Sequence, residues 1–465
     1  MNSLRYRVGL HSSHINSSMI RISTIALAIL ALSQHMFAQS AQQSSTGAMR
    51  IFTLQECLAI ADTANLDILS AETRIIGAEA DKKAAFGAYL PQLNANAGYS
   101  RRLNELGGGQ FNIGGFRAPA DQFSLSSTAN INVFDGFARE ARIDGTNHSL
   151  DAIKETVKQT KQQISLGIYQ RYIAVLRAMQ IVAIRKENLN LGKAELSRVN
   201  ARYEAGVAPI APVYAQEADN GQRELDVIQA ENQVEIAKAE LLSAMGLAPD
   251  MKAGFSEKDI PHEIKSENIA QFKMQFGSLD EIVNSALKKR YDISSAQHRI
   301  IAARSNVNAA KSAYYPSIGA SGGWSWFNSA LTDFDLFSRT FIGFSIDVPI
   351  FDAFRIQQQV ENSNVQLQQT ELEFKRIEQT VRTQLQTGLL NLNAAEKQID
   401  ITDRSLKSAE QNYLSAKERF EVGTSGIVEY QTANTQFVTA KINRINAVYN
   451  YIDAQYQIKF AMGNL

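Results

Sequence analysis

The sequence is poor in several residue types, and each shortage excludes a class of protein. It has one cysteine, Cys57, among 465 residues, so no internal disulfide framework can hold the fold. Its 47 basic and 47 acidic side chains cancel, which leaves no electrostatic footprint for nucleic acid. Beyond Leu32 no apolar run reaches the roughly 18 residues of a transmembrane helix. Any membrane insertion must therefore use strands.

Histidine is also scarce, and its distribution argues against an enzyme. The six histidines are His11, His14, His35, His148, His262 and His298. Three of them lie in or near the N-terminal apolar segment, so we expect no metal-ligand cluster. Gly107 to Gly109 do not open a helix, and Ser321-Gly-Gly-Trp324 reads as strand sequence rather than a nucleophile elbow. The sequence predicts no catalytic residue, no cofactor and no metal site.

The N-terminal segment has the pattern of a secretory signal peptide. Arg5 and Arg7 precede an almost unbroken apolar run over residues 22–32, and Met19 offers a second possible start. Small residues around Ala38 suit a signal peptidase, so we expect residues 1–40 to be removed and the chain to leave the cytoplasm. The sequence before Cys57 lacks the small residues of a lipoprotein box, so lipidation is not expected.

The rest of the chain consists of two similar sequence repeats. Residues 53–93 align without a gap with residues 278–318, with 16 identities in 41 positions. Farther on the offset changes from 225 to 217, and the difference falls in a Gly-rich stretch at 106–115, which indicates an exposed loop. We divide the chain into a first repeat at 41–247, a linker at 248–277 and a second repeat at 278–465.

Each repeat contains two segments that alternate apolar and polar residues with period two, which is typical of strands. They begin near Leu93, Gln122, Ile318 and Ile342, and each is about ten residues long, as a tilted strand needs to cross a bilayer. Their polar positions are mostly Ser, Asn, Thr and Gly rather than Lys and Glu. A soluble sandwich with one wet face is the alternative. Trp324 and Trp326 suit an aromatic girdle or ordinary packing.

Four strands cannot close a barrel, and lipid tolerates no open sheet edge. Other protomers must therefore pair with the edges. Two chains would give eight strands, whose side chains fill the interior, so a pore needs at least three chains and twelve strands.

Helices surround these strands. One helix is predicted at about 54–89 and another at 210–246, and the stretches 137–203 and 354–420 lack proline and predict helices roughly 100 Å long. Apolar residues recur every seven positions along both, with a four-residue step at Ile164–Ile168 and Val381–Leu385. Two shorter helices stacked end to end would equal one long helix in length and could flank it. The linker would lie on the outside of these helices.

Together these features resemble the TolC-like outer-membrane efflux protein family. The doubled layout, Val348-Pro-Ile-Phe-Asp-Ala-Phe354 before a long helix and Arg419-Phe-Glu-Val-Gly423 before a second helix carry the resemblance over about 50–465. It implies a mainly α fold with a membrane β-barrel part: a homotrimer with one twelve-stranded barrel in outer-membrane lipid and a periplasmic α-barrel. It also implies a passive exit duct for tripartite efflux or type I secretion, which meets a periplasmic adaptor protein and an inner-membrane transporter.

The resemblance also assigns candidate site residues. The turns after Gly206 and Gly423 would form the periplasmic tip, where the entrance closes; an ordinary helix C-cap is the plainer interpretation. The tip candidates are Arg202, Tyr203, Gly206, Pro212, Arg419, Phe420, Gly423 and Glu429. Glu429 matches an acidic position of some family members, whereas Pro212 stands at the corresponding place in the first repeat. Threefold symmetry would gather three Glu429 side chains; a solvated glutamate is the alternative.

Two aspartates lie at equivalent places in the two repeats. Asp135 and Asp352 lie where strand gives way to long helix, so we expect both to cap the helix that follows. The rival class of protein is a periplasmic coiled-coil adaptor or scaffold without a pore. Drug efflux, metal efflux and protein secretion would share the duct architecture, so the substrate is not predicted.

Overall fold

The structure is a computed structural model that describes residues 50–101, 121–258, 260–261, 264, 266–274 and 276–465. The predicted signal peptide and the Gly-rich stretch at 106–115 lie outside these residues. The chain divides after Arg50 into two units, and the second unit, from Ile51 onward, contains every helix and strand described except the first residue of β1. Within the described ranges, no helix is both long and apolar enough to cross a membrane.

Helices dominate the architecture, and the same order of elements recurs in both halves. In chain order they are β1 (Arg50–Phe52), α1 (Leu54–Ala64), α2 (Leu66–Gly87), β2 (Gln92–Arg101), β3 (Asp121–Phe134), α3 (Ala138–Glu204), α4 (Ala211–Ala244), β4 (Ala253–Phe255), α5 (Ser266–Lys273), α6 (Leu279–Lys289), α7 (Tyr291–Lys311), a 3-10 turn (Ser312–Tyr314), β5 (Ser317–Asn328), β6 (Ser338–Asp347), α8 (Arg355–Glu421) and α9 (Ile427–Ala461). The predicted duplication is therefore present in the fold.

The single helix predicted at 54–89 is wrong, because the chain breaks at Asn65. Asn65 adopts an extended backbone, ends α1, and accepts the amide protons of Asp67 and Ile68 to cap α2. Its Nδ2 donates to the carbonyl of Ala244, the last residue of α4, over 2.7 Å. The break therefore joins the start of the first half to its end.

The second half repeats this arrangement with a different residue. Arg290 separates α6 from α7 with an extended backbone, and its Nη1 donates to the carbonyl of Ala461, the last residue of α9, over 3.0 Å. Its guanidinium also forms an ion pair with Asp292. Asn65 and Arg290 occupy equivalent positions and perform the same task with unlike side chains.

The four predicted strands form one antiparallel sheet in the order β2-β3-β5-β6. Residues that face each other across neighbouring strands lie on the same side of a sheet. The register pairs Leu93 with Ala129, Tyr99 with Phe123, Leu125 with Trp326, Ile318 with Ile346 and Ala320 with Phe344. One side of the sheet is therefore apolar across all four strands, and the other carries Asn94, Asn96, Thr128 and Ser321.

The two longest helices have equal length. α3 and α8 each contain 67 residues, as the absence of proline predicts. None of the ten predicted seam positions of α8 is exposed, and Val381 and Leu385, on either side of the four-residue step, are fully buried. In α3 the seam holds except at Tyr203, which is 41% exposed.

The segment between the halves is packed rather than free. β4 pairs with β1 in a two-stranded sheet, and Phe255 packs against Phe52 and Tyr172. From α5, Ile269 and Phe272 join a buried cluster with residues of α8 and α9. The largest buried cluster among the described residues thus forms where β1, α1, β4, α3, α4 and α9 meet.

Candidate functional site

Within the described part of the chain, the outer strands of the sheet, β2 and β6, each have one unpaired edge. On β6 the apolar side chains are strongly exposed: Ile342 at 81%, Phe344 at 78% and Ile346 at 69%. Unpaired backbone groups and exposed apolar side chains on one strand are costly in water. The edges and the apolar face therefore require covering, by another chain along the edges and by an apolar medium on the face.

The tryptophans of β5 differ in their surroundings. Trp326 is 1% exposed, stacks on Phe334 with ring centroids 4.4 Å apart, and donates from Nε1 to the carbonyl of Asp333 over 3.3 Å. Trp324 is partly exposed on the same face. Of the two alternatives from the sequence, Trp326 is a packing residue of the loop that follows β5.

Both long helices begin after a tight bend in which two successive residues have positive φ. Gly136 and Phe137 precede α3 with φ of 68° and 70°, and Ala353 and Phe354 precede α8 with φ of 56° and 65°. A Cβ on Gly136 would lie 2.4 Å from the carbonyl oxygen of Ser312, so the close approach requires glycine there. Each long helix therefore starts directly after such a bend.

The predicted caps Asp135 and Asp352 act from a different position than expected. The N-cap residues are Phe137 and Phe354, neither of which caps through its side chain. Asp352, two residues upstream, accepts the amide of Ile356 over 2.6 Å, and Asp135 accepts the amide of Arg139 over 3.4 Å. Both carboxylates thus bind the first helical turn from across the bend, because the positive-φ residues fold the chain back.

At the far end of the long helices, both predicted turns have the same geometry. Gly206 and Gly423 have φ of 71° and 78°. The amide after each glycine donates back to the helix, from Val207 to the carbonyl of Arg202 over 3.0 Å and from Thr424 to that of Arg419 over 2.9 Å. This is a Schellman arrangement, so the plain C-cap interpretation of both glycines is confirmed.

The two turns lie at the same end of the molecule, where four helices meet in one apolar cluster. Val199 of α3, Val213 of α4, Tyr413 and Phe420 of α8, and Ile427 and Tyr430 of α9 form it. Phe420 stacks on Tyr430 with the ring planes 11° apart. Tyr203, at the equivalent position of α3, finds no such partner among the described residues and remains exposed. Pro212 lies in the first turn of α4, where proline costs no hydrogen bond.

Two of the three charged tip candidates, Arg419 and Glu429, are paired within one chain. Glu429, in the first turn of α9, accepts a hydrogen bond from the guanidinium of Arg419. Arg198 of α3 binds Glu195, lies 3.9 Å from Glu421 of α8 and covers the ring of Phe420 at 5.3 Å. The side chains of Arg419 and Glu429 are nearly half exposed, so the pair contributes at most about 1 kcal/mol. Glu429 is therefore partly neutralised by its own chain.

A buried polar network, absent from the sequence predictions, lies between the tip and the main core. Arg223 of α4 is 4% exposed; its Nη1 donates to the backbone and side-chain oxygens of Asn188, and its Nε donates to Asp219 over 2.7 Å. Asn434 of α9 donates to the same Asn188 side chain over 2.9 Å. The network links α3, α4 and α9. Its residues follow no regular spacing in the sequence, so the sequence did not predict it.

The structure corrects the expectation that no metal-ligand cluster exists. His148 and Asp151 of α3 lie beside His298 of α7, and one ligand atom from each falls within 4.8 Å of the others. The Nδ1 atoms of the two histidines are 3.1 Å apart. Because 150 residues separate the histidines, only the packing of α7 on α3 brings them together.

Comparisons with known proteins agree with this architecture. The family model described as "Outer membrane efflux protein" matches residues 58–247 and 282–464, one stretch in each half. The outer membrane protein TolC of Vibrio cholerae is 24% identical over 421 residues, which cover 85% of this chain and 88% of that protein. The outer membrane efflux protein BepC of Brucella suis is 23% identical and covers 77% of this chain and 76% of its own length.

Solved structures show the same fold at low identity. The CmeC outer membrane channel of Campylobacter jejuni superposes with a TM-score of 0.74 at 18% identity, covering 92% of this chain and 90% of that one. The outer membrane protein VceC of Vibrio cholerae gives a TM-score of 0.71 at 18% identity and covers 88% and 96%. At such coverage the likeness extends over both halves of the chain.

Proposed function

Since the chain belongs to the outer membrane efflux protein family, we propose that it is the homotrimeric exit duct of a tripartite efflux or type I secretion system. The duct is passive, lies in the outer membrane and extends into the periplasm. A periplasmic adaptor protein and an inner-membrane transporter are its proposed partners, and outer-membrane lipid surrounds its sheet.

The observation that carries the proposal is the four-stranded sheet with two unpaired edges and one apolar face. In a lipid bilayer every backbone N–H and C=O must be paired, so β6 of one chain must meet β2 of the next. Three chains contribute twelve strands, enough for a pore, whereas eight strands would enclose only their own side chains. In a soluble scaffold the unpaired edges and the apolar face of this sheet would be exposed to water, which is unfavourable.

The first experiment tests the sheet with two adjacent residues of β6 on opposite faces. Phe344 lies on the apolar face and Ser345 on the polar one. Phe344→Arg places a charge against lipid, at a cost of up to about 2–4 kcal/mol near the bilayer midplane, and we expect loss of assembled trimers from outer-membrane fractions. Ser345→Arg, the matched control, leaves assembly intact and changes single-channel conductance in planar bilayers.

Two results would contradict the proposal. Equal recovery of trimers from both variants would refute the assignment of the apolar face to lipid. A wild-type chain that purifies as a monomer without detergent would favour the rival coiled-coil scaffold and refute the duct.

We further propose that the turns at Gly206 and Gly423 form the periplasmic entrance, and that the positive charge of Arg419 partly compensates the negative charge of Glu429 there. Two unpaired carboxylates about 6 Å apart repel by roughly 3 kcal/mol at an effective dielectric near 20, and a divalent cation relieves this repulsion. The Arg419–Glu429 pair within each chain supports weak cation binding in the wild type.

The corresponding experiment measures block of single-channel conductance by a divalent cation. Arg419→Ala leaves Glu429 unpaired in all three chains, so we expect stronger block than in the wild type. Arg419→Ala/Glu429→Ala removes both charges and should abolish the added block. Identical block in all three proteins would place Glu429 away from the conduction path.

A further inference from the structure

The chain contains a group of three potential metal ligands outside the sheet and the tip. His148 and Asp151 are three residues apart on α3, so both side chains lie on one face of that helix. His298 approaches from α7, which packs along α3. Two ligands at i and i+3 on one helix and a third on the facing helix is a common way to build a metal site between helices.

The two histidines present the same atom to each other. Their ring centroids are 5.4 Å apart and their Nδ1 atoms only 3.1 Å, so the nitrogen-bearing edges of the rings face one another. In the absence of a metal, one Nδ1–H donates to the other Nδ1. Two imidazole nitrogens bound to one tetrahedral Zn²⁺ at about 2.0–2.1 Å lie about 3.3 Å apart. The two nitrogens are therefore already spaced for a shared ion, and each ring must turn by about 35° to direct its lone pair at that ion.

Asp151 supplies the third ligand. Among the described residues, none donates a hydrogen bond to its carboxylate or forms an ion pair with it, so no cation has to be displaced. Moving the carboxylate oxygen by roughly 1.5 Å, a change of side-chain rotamer, brings it from a separation of up to 4.8 Å to tetrahedral ligand spacing. All three residues are half-buried, which leaves a fourth position open to water.

A second carboxylate lies beside the outer ring nitrogen of His148. This nitrogen, Nε2, lies 3.7 Å from the carboxylate of Asp144, one turn earlier on α3, which is just beyond hydrogen-bond distance. Asp144 is in turn held by the hydroxyl of Ser305 from α7, which is 4% exposed. Histidine ligands usually donate their second ring N–H to a carboxylate, which fixes the ring and raises its basicity. A small turn of the His148 ring would bring Nε2–H within hydrogen-bond distance of Asp144, which would then act as a positioning residue.

We propose that His148, His298 and Asp151 bind a borderline divalent transition-metal ion, with Zn²⁺ as the representative, which ties α7 to α3. Two imidazoles and one carboxylate suit this class of ion better than Ca²⁺ or Mg²⁺, which prefer oxygen ligands alone. The ligands come from a long helix of the first half and a short helix of the second. One ion per chain would fasten the two halves together about 15 Å from the start of α3, since His148 is ten residues beyond Ala138.

The test is isothermal titration of Zn²⁺ into the full chain, purified in detergent without a polyhistidine tag. We expect one ion per chain, and a Co²⁺-substituted sample should show the visible absorption bands of a tetrahedral site. Asp144→Asn should weaken binding by about 10–100-fold. His148→Gln, His298→Gln and Asp151→Asn should each weaken it at least as much.

The control is His262→Gln, which removes the remaining histidine beyond residue 40 and should bind Zn²⁺ like the wild type. Circular dichroism and size-exclusion chromatography establish that each variant is folded and assembled. Asp151→Asn preserves the size of the side chain and serves as the readout if a histidine variant does not assemble. Unchanged binding in His148→Gln and His298→Gln, loss of binding in His262→Gln, or no binding by the wild type would each overturn the proposal.

Discussion

Two glycines with the same backbone conformation allow a sharp test of how the first half is held together. Gly246 follows α4 and Gly206 follows α3, with φ of 77° and 71°. A Cβ on Gly246 would lie 2.2 Å from the carbonyl oxygen of Ala64, at the break between α1 and α2, whereas a Cβ on Gly206 would meet none of the described atoms within 4 Å. Gly206→Ala therefore isolates the conformational penalty, and Gly246→Ala adds a backbone clash.

The expected magnitudes follow from these contacts. A left-handed conformation costs a non-glycine residue about 1–2 kcal/mol, and both variants incur that cost. In Gly246→Ala the break must also shift, at about 1–3 kcal/mol for overpacking, and the 2.7 Å bond from Asn65 to Ala244 is weakened, at about 1 kcal/mol. We therefore expect losses in the free energy of unfolding of about 1–2 kcal/mol for Gly206→Ala and about 3–6 kcal/mol for Gly246→Ala.

The assay is urea denaturation of each variant in detergent, followed by far-ultraviolet circular dichroism. Gly463→Ala, at the equivalent position of the second half, gives an internal check. Its Cβ would lie 3.3 Å from Arg290, a tight but tolerable contact, so its loss should fall between the other two. Equal midpoints for Gly206→Ala and Gly246→Ala would refute the reasoning, because they would mean that the break does not bear on the end of α4.

Two further predictions concern buried polar groups. Arg223→Ala removes the charged donor to Asp219 and to the Asn188 carbonyl and should cost about 1.5–3 kcal/mol of unfolding free energy. Arg404→Ala, from an exposed pair with Asp400, should cost less than about 1 kcal/mol, and equal denaturation midpoints would contradict this. Burial raises the pKa of Tyr449 from 10.0 to about 12, so the folded state favours the neutral phenol. The stabilisation is complete below about pH 10 and is lost as pH rises towards about 12, by up to roughly 2–3 kcal/mol. Denaturation midpoints over this range should fall in the wild type and fall less in Tyr449→Phe, and tyrosinate absorbance reports the ionisation.

The elements that could be predicted from the sequence are those whose burial repeats with a fixed period. The strands follow from alternation that the register bears out, as at Leu93 and Ala129. The ends of α3 and α8 fall within a residue or two of the predictions, because Gly206 and Gly423 provide a clear helix stop. The break at Arg290 could not be predicted in this way, because its cause is a carbonyl group 171 residues away.

The site residues were harder to predict, because their roles depend on neighbours from other elements. Tyr203 and Phe420 occupy the same seam position, yet one is 41% and the other 8% exposed. The difference comes from Tyr430, which stacks on Phe420, whereas Val213 stands at the equivalent place in the first half. Likewise, no pattern around His148 reveals that His298 will lie against it.

Because α3 and α8 have equal length, both halves of the chain extend equally far from the sheet. At 1.5 Å per residue, 67 residues fix a reach of about 100 Å between the sheet and the turns at Gly206 and Gly423. A seven-residue deletion in α3 alone would shorten that helix by about 10 Å, so the turn at Gly206 would no longer lie level with the turn at Gly423. The same deletion in both helices would keep the two turns level and shorten the whole molecule. Changes in reach are therefore tolerated only when they occur in both halves together.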